Sequence, residues 1–395
     1  MKELSRVASL VVNSPTLAVD TLAKQLKAEG KDVISFGVGE PDFDTPEHIK
    51  QACVDALARG ETKYTPVVGL LSLRQAVADR LRADMGVSYE PTQIVVASGA
   101  KHNLYLAFQA LLNPGDEAIL PAPYWVTYGE AIKMARGVPV IVQTGMEEDF
   151  KLSPAQLRAA ITAQTKLVVI NNPSNPTGML YSEEELRALA EICVEHDLYI
   201  IADEIYYHLT YEGTFVSMAT LGEAVKERTI LINGVSKSYS MTGWRIGYSA
   251  SNSQLAKVMG NYVGHSTSGP STMCQIAAIE ALSGDQSSVY TMKDAFQERR
   301  DYICQRLAAI EGISFRKPQG AFYVMVNMEA QIGKTLGGKR IENGEDFAIA
   351  LLESQQVAVV PCGGFGAPNY VRLSYATSMG QIAKGMDRLE AFLQG

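Results

Sequence analysis

The sequence predicts an α/β fold on a mostly parallel sheet, with a smaller α+β unit, and three observations predict it. Short β-branched runs alternate with amphipathic segments of helical length along the first two thirds of the chain. Those runs are continuously apolar, which marks strands covered by helices on both faces. The last third then changes character, to alternating strands flanked by helices. The composition allows such a core: of 395 residues 47% are hydrophobic and 20% charged, which excludes a disordered or collagenous chain.

The elements follow in order. QIVVAS (residues 93–98) reads as a strand and AKHNLYLAFQALL (100–112) as the helix after it. DEAILPA and VPVIVQT read as two further strands, with PAQLRAAIT as a helix behind them. KLVVINN (166–172), the helix SEEELRALAEICVEH (182–196), LYIIADE (198–204) and TILING (229–234) continue the alternation. A long polar helix is expected from about Ser288 to Ile310. The strands GISFRKP, AFYVMVNM, QQVAVVPC and NYVRLSYAT and a closing helix follow it. This pattern divides the chain into an N-terminal segment (1–45) that joins the small unit, a large unit (46–290) and a small C-terminal unit (291–395).

Several function classes are poor candidates. With 35 Lys and Arg against 43 Asp and Glu the net charge is −8, and no basic run offers itself to nucleic acid or to an anionic membrane. The five cysteines stand singly without a CxxC pair, which argues against a disulfide framework or metal site and for a reducing compartment. The apolar stretch Ala8–Val12, interrupted by Ser9, is too short for a secretory segment, so a soluble cytoplasmic protein is expected. No GxGxxG follows the first strands, which disfavours a dinucleotide enzyme.

In open α/β sheets the ligand sits beyond the carboxyl ends of the strands, so the residues just after each run are the informative ones. After QIVVA comes SGAK, a helix start whose free amides and dipole favour a phosphate. After LVVI comes NNPSNPTG, which presents Asn175. After LYIIA come Asp203, Glu204 and Tyr206, and after TILIN come Ser236, Lys237 and Arg245. An anion cradle, an amide, a carboxylate, a phenol, an amine and a guanidinium thus share one edge. A lysine there can attack carbonyls if neighbouring charge or dryness lowers its pKa. An aldehyde cofactor with a pyridinium nitrogen, a phenolic oxygen and a phosphate uses every one of these groups, and pyridoxal 5'-phosphate is such a cofactor.

NPSNPTG, DEIY and SKSYSMTGWRIG resemble the motifs of the class I aminotransferases of pyridoxal-phosphate fold type I, with 28 residues from Asn175 to Asp203 and 34 from Asp203 to Lys237. GEPDFDTP, KYTPVVG, PYWVTY, MTGWRIGY and VRLSYAT resemble, more narrowly, the bacterial aspartate aminotransferase branch called subgroup Ib. The resemblance runs over essentially the whole chain and implies a three-layer large domain with a mixed sheet.

The resemblance also assigns roles. Lys237 would bond the cofactor aldehyde and carry the substrate proton. Asp203 would hold the ring N–H, Tyr206 and Asn175 the 3' oxygen, and Trp125 would stack on the ring. Arg245, Ser236 and the amides of Gly99, Ala100 and Lys101 would cradle the phosphate, with Tyr64 reaching the phosphate of a neighbouring subunit in a homodimer with shared sites. Arg372 would clamp the substrate α-carboxylate beside the Gly39 amide, with Trp125 and Asn175 also facing the substrate. Lys101 would bind a distal carboxylate, which favours aspartate and 2-oxoglutarate as the pair exchanged in a ping-pong reaction.

Alternatives on the same fold are an aromatic, kynurenine or prephenate aminotransferase. Relatives that accept prephenate carry a basic residue in the N-terminal segment, and Leu10–Thr16 has none. A DNA-binding regulator of this fold would add a helix-turn-helix module ahead of the motifs, and they begin within forty residues of Met1, so it is not expected.

Overall fold

The computed structural model of the chain describes residues 2–11 and 17–394. Every apolar run of the first two thirds becomes a strand of one seven-stranded sheet. Across it lie Ile94–Ala97, Gly247–Ala250, Thr229–Gly234, Tyr199–Asp203, Thr165–Asn171, Glu117–Ala122 and Val138–Gln143. Gly247–Ala250 runs antiparallel to both neighbours, and the other pairings are parallel. Strand Gly247–Ala250 is one that the apolar-run criterion passes over, because GYSA is short and made mostly of small residues. Its glycine has a packing reason: a Cβ on Gly247 would come within 2.2 Å of the Ala100 amide nitrogen, so only glycine lets helix Ala100–Leu111 start against the sheet.

Helices cover both faces, and the core is their contact with the sheet. Val95, Ala97, Leu120, Val169 and Ile232 point to the face covered by Leu104, Phe108 and Met259. Ile119, Val168, Ile170 and Ile200 meet Leu186, Leu189 and Ile192 of helix Glu183–Glu195. That helix starts where the sequence says it should. The Ser182 hydroxyl accepts from the Glu185 amide, the Glu185 carboxylate accepts from the Ser182 amide, and three glutamates complement the dipole of the first turn.

The small unit carries a four-stranded antiparallel sheet in the order Val360–Pro361, Tyr370–Ser374, Tyr323–Asn327, Ser314–Phe315. Helices Ser287–Ala308, Gly344–Gln355 and Met379–Gln394 pack around it. The N-terminal segment joins this unit. Ile34–Ser35 pairs in parallel with Val357–Ala358, and the Ser374 amide donates to the Phe36 carbonyl at 2.8 Å. Ile34 and Phe36 are fully buried in the small unit's core. No helix among the described residues is long and apolar enough to cross a membrane, and no group of three or more His, Cys, Asp or Glu side chains there could hold a metal.

The two chain ends meet at Gly385 of the closing helix, where a Cβ would lie 2.4 Å from the Phe36 ring and 2.9 Å from the Ile34 side chain. Gly385→Ala should therefore lower stability in urea unfolding by about 1–3 kcal/mol through overpacking, although alanine is the better helix former. A gain in stability would mean that the N-terminal strand does not pack there.

Candidate active site

The strands deliver their polar residues to one edge. Asn171 and Asp203 end adjacent parallel strands in register, and the Asn171 side-chain amide donates to the Asp203 carbonyl at 2.9 Å. The reversal between Thr229–Gly234 and Gly247–Ala250 starts and ends at this edge, and it carries Ser236, Lys237 and Arg245. From the small unit, Arg372 in the middle of Tyr370–Ser374 reaches the same place. The result is a cavity of about 340 Å³ lined by Lys237, Asp203, Arg372, Arg245, Asn175, Tyr206, Ser236, Trp125, Lys101, Ala100 and Gly39 among others. These sequence-predicted residues come from segments as far apart as Gly39 and Arg372.

The electrostatics follow from burial. Asp203 is buried, and the loss of water pushes its carboxyl up to about 6. The Tyr128 hydroxyl, donating to Oδ2 at 2.7 Å, and the Ile205 amide pull the other way. Lys237 donates from Nζ to the Gly39 carbonyl. Burial lowers its ammonium to about 8, a shift that the Arg372 and Arg245 charges strengthen and that Glu40 and Asp203 oppose. Arg372 is buried too. Its Nη1 donates to Asn175 Oδ1 at 2.9 Å and its Nη2 to the Gly37 carbonyl at 3.2 Å, and its guanidinium lies 4.2 Å over the Tyr323 ring. Its Nε has no partner, so a buried donor is left for an incoming acceptor.

The phosphate-type cradle is more specific than the sequence implied. The Gly99 amide is committed to the Ala97 carbonyl at 2.7 Å. Of the three amides expected there, those of Ala100 and Lys101 therefore stand in the open first turn of helix Ala100–Leu111. Gly99 serves by lacking a side chain: its φ is +86°, and a Cβ would lie 2.3 Å from Arg245 Nη2. Arg245 is held by the carbonyls of Thr242 and Ser98 at 2.8 and 3.2 Å. Lys101 is exposed overall, yet its ammonium sits 4.8 Å over the Trp125 ring, and burial together with the Arg245 charge holds it below the usual lysine range.

Tyr64 and some other residues of the motifs fall elsewhere. Tyr64 is fully exposed and does not line the cavity of its own chain. Ser98 lies behind the cradle, its carbonyl against Arg245. Glu204 points away from the cavity, accepting from Ser217 Oγ and the Met218 amide at 3.0 Å each, and burial pushes its carboxyl up to about 8. Trp244 donates to the Thr45 hydroxyl at 3.0 Å. In the segment Leu10–Thr16, residues 12–16 lie outside the described residues.

Five residues that line the cavity were missed: Asn171 and Ile205 beside Asp203, and Tyr128, Tyr323 and Thr242. Tyr128 holds Asp203, Tyr323 meets the Tyr206 hydroxyl at 3.0 Å, and Thr242 donates to Glu40 Oε2 at 2.7 Å. Tyr128 had a signal, since it stands three residues after Trp125 at helical spacing, where side chains share a face. Tyr323 had none, because only the folded chain brings it beside Tyr206.

A strand-edge cavity that unites a low-pKa amine, a buried carboxylate, the open start of a helix and a buried arginine with an unpartnered Nε has the groups that a group-transfer enzyme uses. Residues 31–389 match the family Aminotransferase class I and II, and the chain belongs to it. The aspartate aminotransferase of Bacillus subtilis (strain 168) is 48% identical over 395 residues, 100% of this chain and 99% of that protein. The structure of the aspartate aminotransferase from Rhizobium meliloti superposes with a TM-score of 0.96 at 41% identity, covering 100% and 99% of the two chains. That of Thermus thermophilus with maleate gives 0.93 at 42% identity over 100% of both chains. The chain is an aminotransferase.

Because Lys237 is depressed to about 8 from an ordinary 10.5, its amine is neutral and reactive in a window where surface lysines stay charged. In the chain freed of small molecules, labelling of Lys237 by an amine-directed reagent, read by peptide mass spectrometry, should rise with a midpoint near pH 8. Glu40→Gln removes an opposing negative charge and should move that midpoint lower. A midpoint near that of surface lysines would contradict the dry environment.

Proposed function

We propose that this aminotransferase moves the amino group between L-aspartate and 2-oxoglutarate with pyridoxal 5'-phosphate as its cofactor. The observation that carries the reading is the convergence of Lys237, Asp203, Arg245 and Arg372 on one cavity. The donor set fits the cofactor on three counts. Asp203 is a buried carboxylate in want of a cationic N–H partner, which a protonated ring nitrogen provides. The open amides of Ala100 and Lys101, with Arg245 and Ser236, suit a phosphate. Lys237 is a low-pKa amine suited to an aldehyde.

When bound, the cofactor supplies an electron sink for the substrate's Cα. The chain's own residues do the rest. Lys237 offers the amine that holds the aldehyde, and once displaced it would take the proton from the substrate's Cα and deliver it to the carbon that had been the cofactor's aldehyde. Asp203 keeps the ring nitrogen protonated, and Tyr128 keeps Asp203 oriented. Arg372, with Asn175 as its partner, orients the substrate by its α-carboxylate. Trp125 offers a ring face to the cofactor ring, and Tyr206 and Asn175 offer hydrogen bonds to its 3' oxygen. Lys101 lines the cavity as a cation available to a distal carboxylate. The dicarboxylate maleate is the ligand of the Thermus thermophilus relative.

Residues 46–290 would act as the cofactor unit, and residues 291–395 with 1–45 as a unit that brings Arg372 and Gly39 to the substrate and excludes water on approach. The reading includes a homodimer with shared sites in the cytoplasm. The full exposure of Tyr64, in a loop carrying the matching motif KYTP, supports the dimer.

A donor screen with 2-oxoglutarate as acceptor, followed by the spectrum of bound cofactor, tests the assignment. Aspartate should be the best donor, and Lys101→Ala should raise its KM by about tenfold, the loss of one charge-assisted hydrogen bond, with KM for phenylalanine unchanged. An equal rise with phenylalanine would remove the dicarboxylate assignment. Lys237→Ala should abolish turnover.

A further inference from the structure

The loop that carries Tyr64 is tethered from a single helix on both sides of that residue. Thr272, the first residue of helix Thr272–Ser283, donates its hydroxyl to the Lys63 carbonyl at 2.6 Å. Gln275, three residues on and on the same helix face, donates from Nε2 to the Thr65 hydroxyl at 2.9 Å. Gln275 is fully buried, and both its donors and its oxygen are engaged: Nε2 also donates to the Pro270 carbonyl at 2.8 Å, and Oε1 accepts from the Leu70 amide at 2.8 Å. A buried amide with three good partners is expensive to disturb, since each one lost leaves a polar group dry.

The backbone around these tethers is equally constrained. A Cβ on Gly269 would lie 3.0 Å from the Thr65 hydroxyl, and one on Gly69, whose φ is +95°, would lie 2.8 Å from Val96. Residues 63, 65 and 70 are thus fixed to the body of the molecule, while Tyr64 beside them is fully exposed and has no partner among the described residues that this fixing could serve. A rigid loop that presents one bare tyrosine is preorganised for an external ligand.

We propose that Gln275 is a positioning residue which, with Thr272, holds the loop so that Tyr64 meets the cofactor phosphate bound in a second copy of this chain. The inference rests on the homodimer reading given above and adds the device that sets the tyrosine's aim. Gln275 touches neither the cofactor nor the substrate. It acts through two hydrogen bonds, one donated to the Thr65 hydroxyl and one accepted from the Leu70 amide, which fix the segment that begins directly after Tyr64.

The test compares the affinity of the cofactor-free, full-length chain for pyridoxal 5'-phosphate and for pyridoxal, which lacks the phosphate, by fluorescence titration. Tyr64→Phe should weaken the phosphorylated ligand by about tenfold, the scale of one hydrogen bond to a charged group, and leave pyridoxal unchanged. Gln275→Ala should produce the same selective loss with Tyr64 intact. The double variant should lose no more than either single one, although the two side chains do not touch and would otherwise add. Thr65→Val and Thr272→Val, which remove the tethers from the other side or at a half-buried hydroxyl, should give about a threefold loss of the same selectivity if Gln275→Ala fails to fold. A Gln275→Ala that weakens both ligands equally, or whose loss adds to that of Tyr64→Phe, overturns the positioning role while leaving the tyrosine's role standing. A Tyr64→Phe without selective loss overturns the tyrosine reading and this inference with it.

Discussion

The site depends on keeping the Lys237 amine dry among charges that nearly balance. Burial and the two guanidinium groups of Arg372 and Arg245 favour the neutral amine, and Glu40 and Asp203 favour the ammonium. With burial the largest influence, the amine comes down to about 8, close enough to neutrality to exchange a proton in either direction. The rest of the architecture serves that balance. Parallel strands bring Asp203 and Lys237 to one edge, and the small unit supplies the second cation from the opposite side.

Close approach is the means, and glycine provides it. Gly247 lets helix Ala100–Leu111 begin against the sheet, and Gly99 lets the Arg245 guanidinium lie where a side chain would stand. Both concentrate positive potential at a helix start, where the dipole already favours an anion. The N-terminal segment closes the arrangement. Its Gly37 carbonyl accepts from Arg372 and its Gly39 carbonyl from Lys237, so a single extended stretch ties the clamp of one unit to the amine of the other. Its strand Ile34–Ser35 is anchored by parallel pairing with Val357–Ala358.

Much of this was legible in the residues. Continuous apolar runs locate six of the seven strands: five are buried and cannot hide their composition, and Val138–Gln143, a part-exposed edge strand, is marked by its β-branched residues. The polar residues immediately after them locate the site, because the sheet topology leaves only that edge open. The exception, Gly247–Ala250, is antiparallel and small-residued, and its place is set by what it packs against, not by its own hydrophobicity. The bond from the Gly99 amide to the Ala97 carbonyl is likewise a matter of local geometry that composition does not report.

The sequence by itself determined which functional groups stand together: an amine, a carboxylate, a helix start with open amides and a guanidinium, at fixed intervals after apolar runs. Residue type and chain spacing suffice for that, since functional groups and strand ends are local properties. The tertiary structure alone decided which neighbours tune those groups. Tyr128 on Asp203, Tyr323 on Tyr206, the N-terminal carbonyls on Lys237 and Arg372, and Gln275 behind Tyr64 all join segments distant in the chain. Hydrogen bonds and desolvation act through space over a few ångströms, and only the folded chain sets those distances.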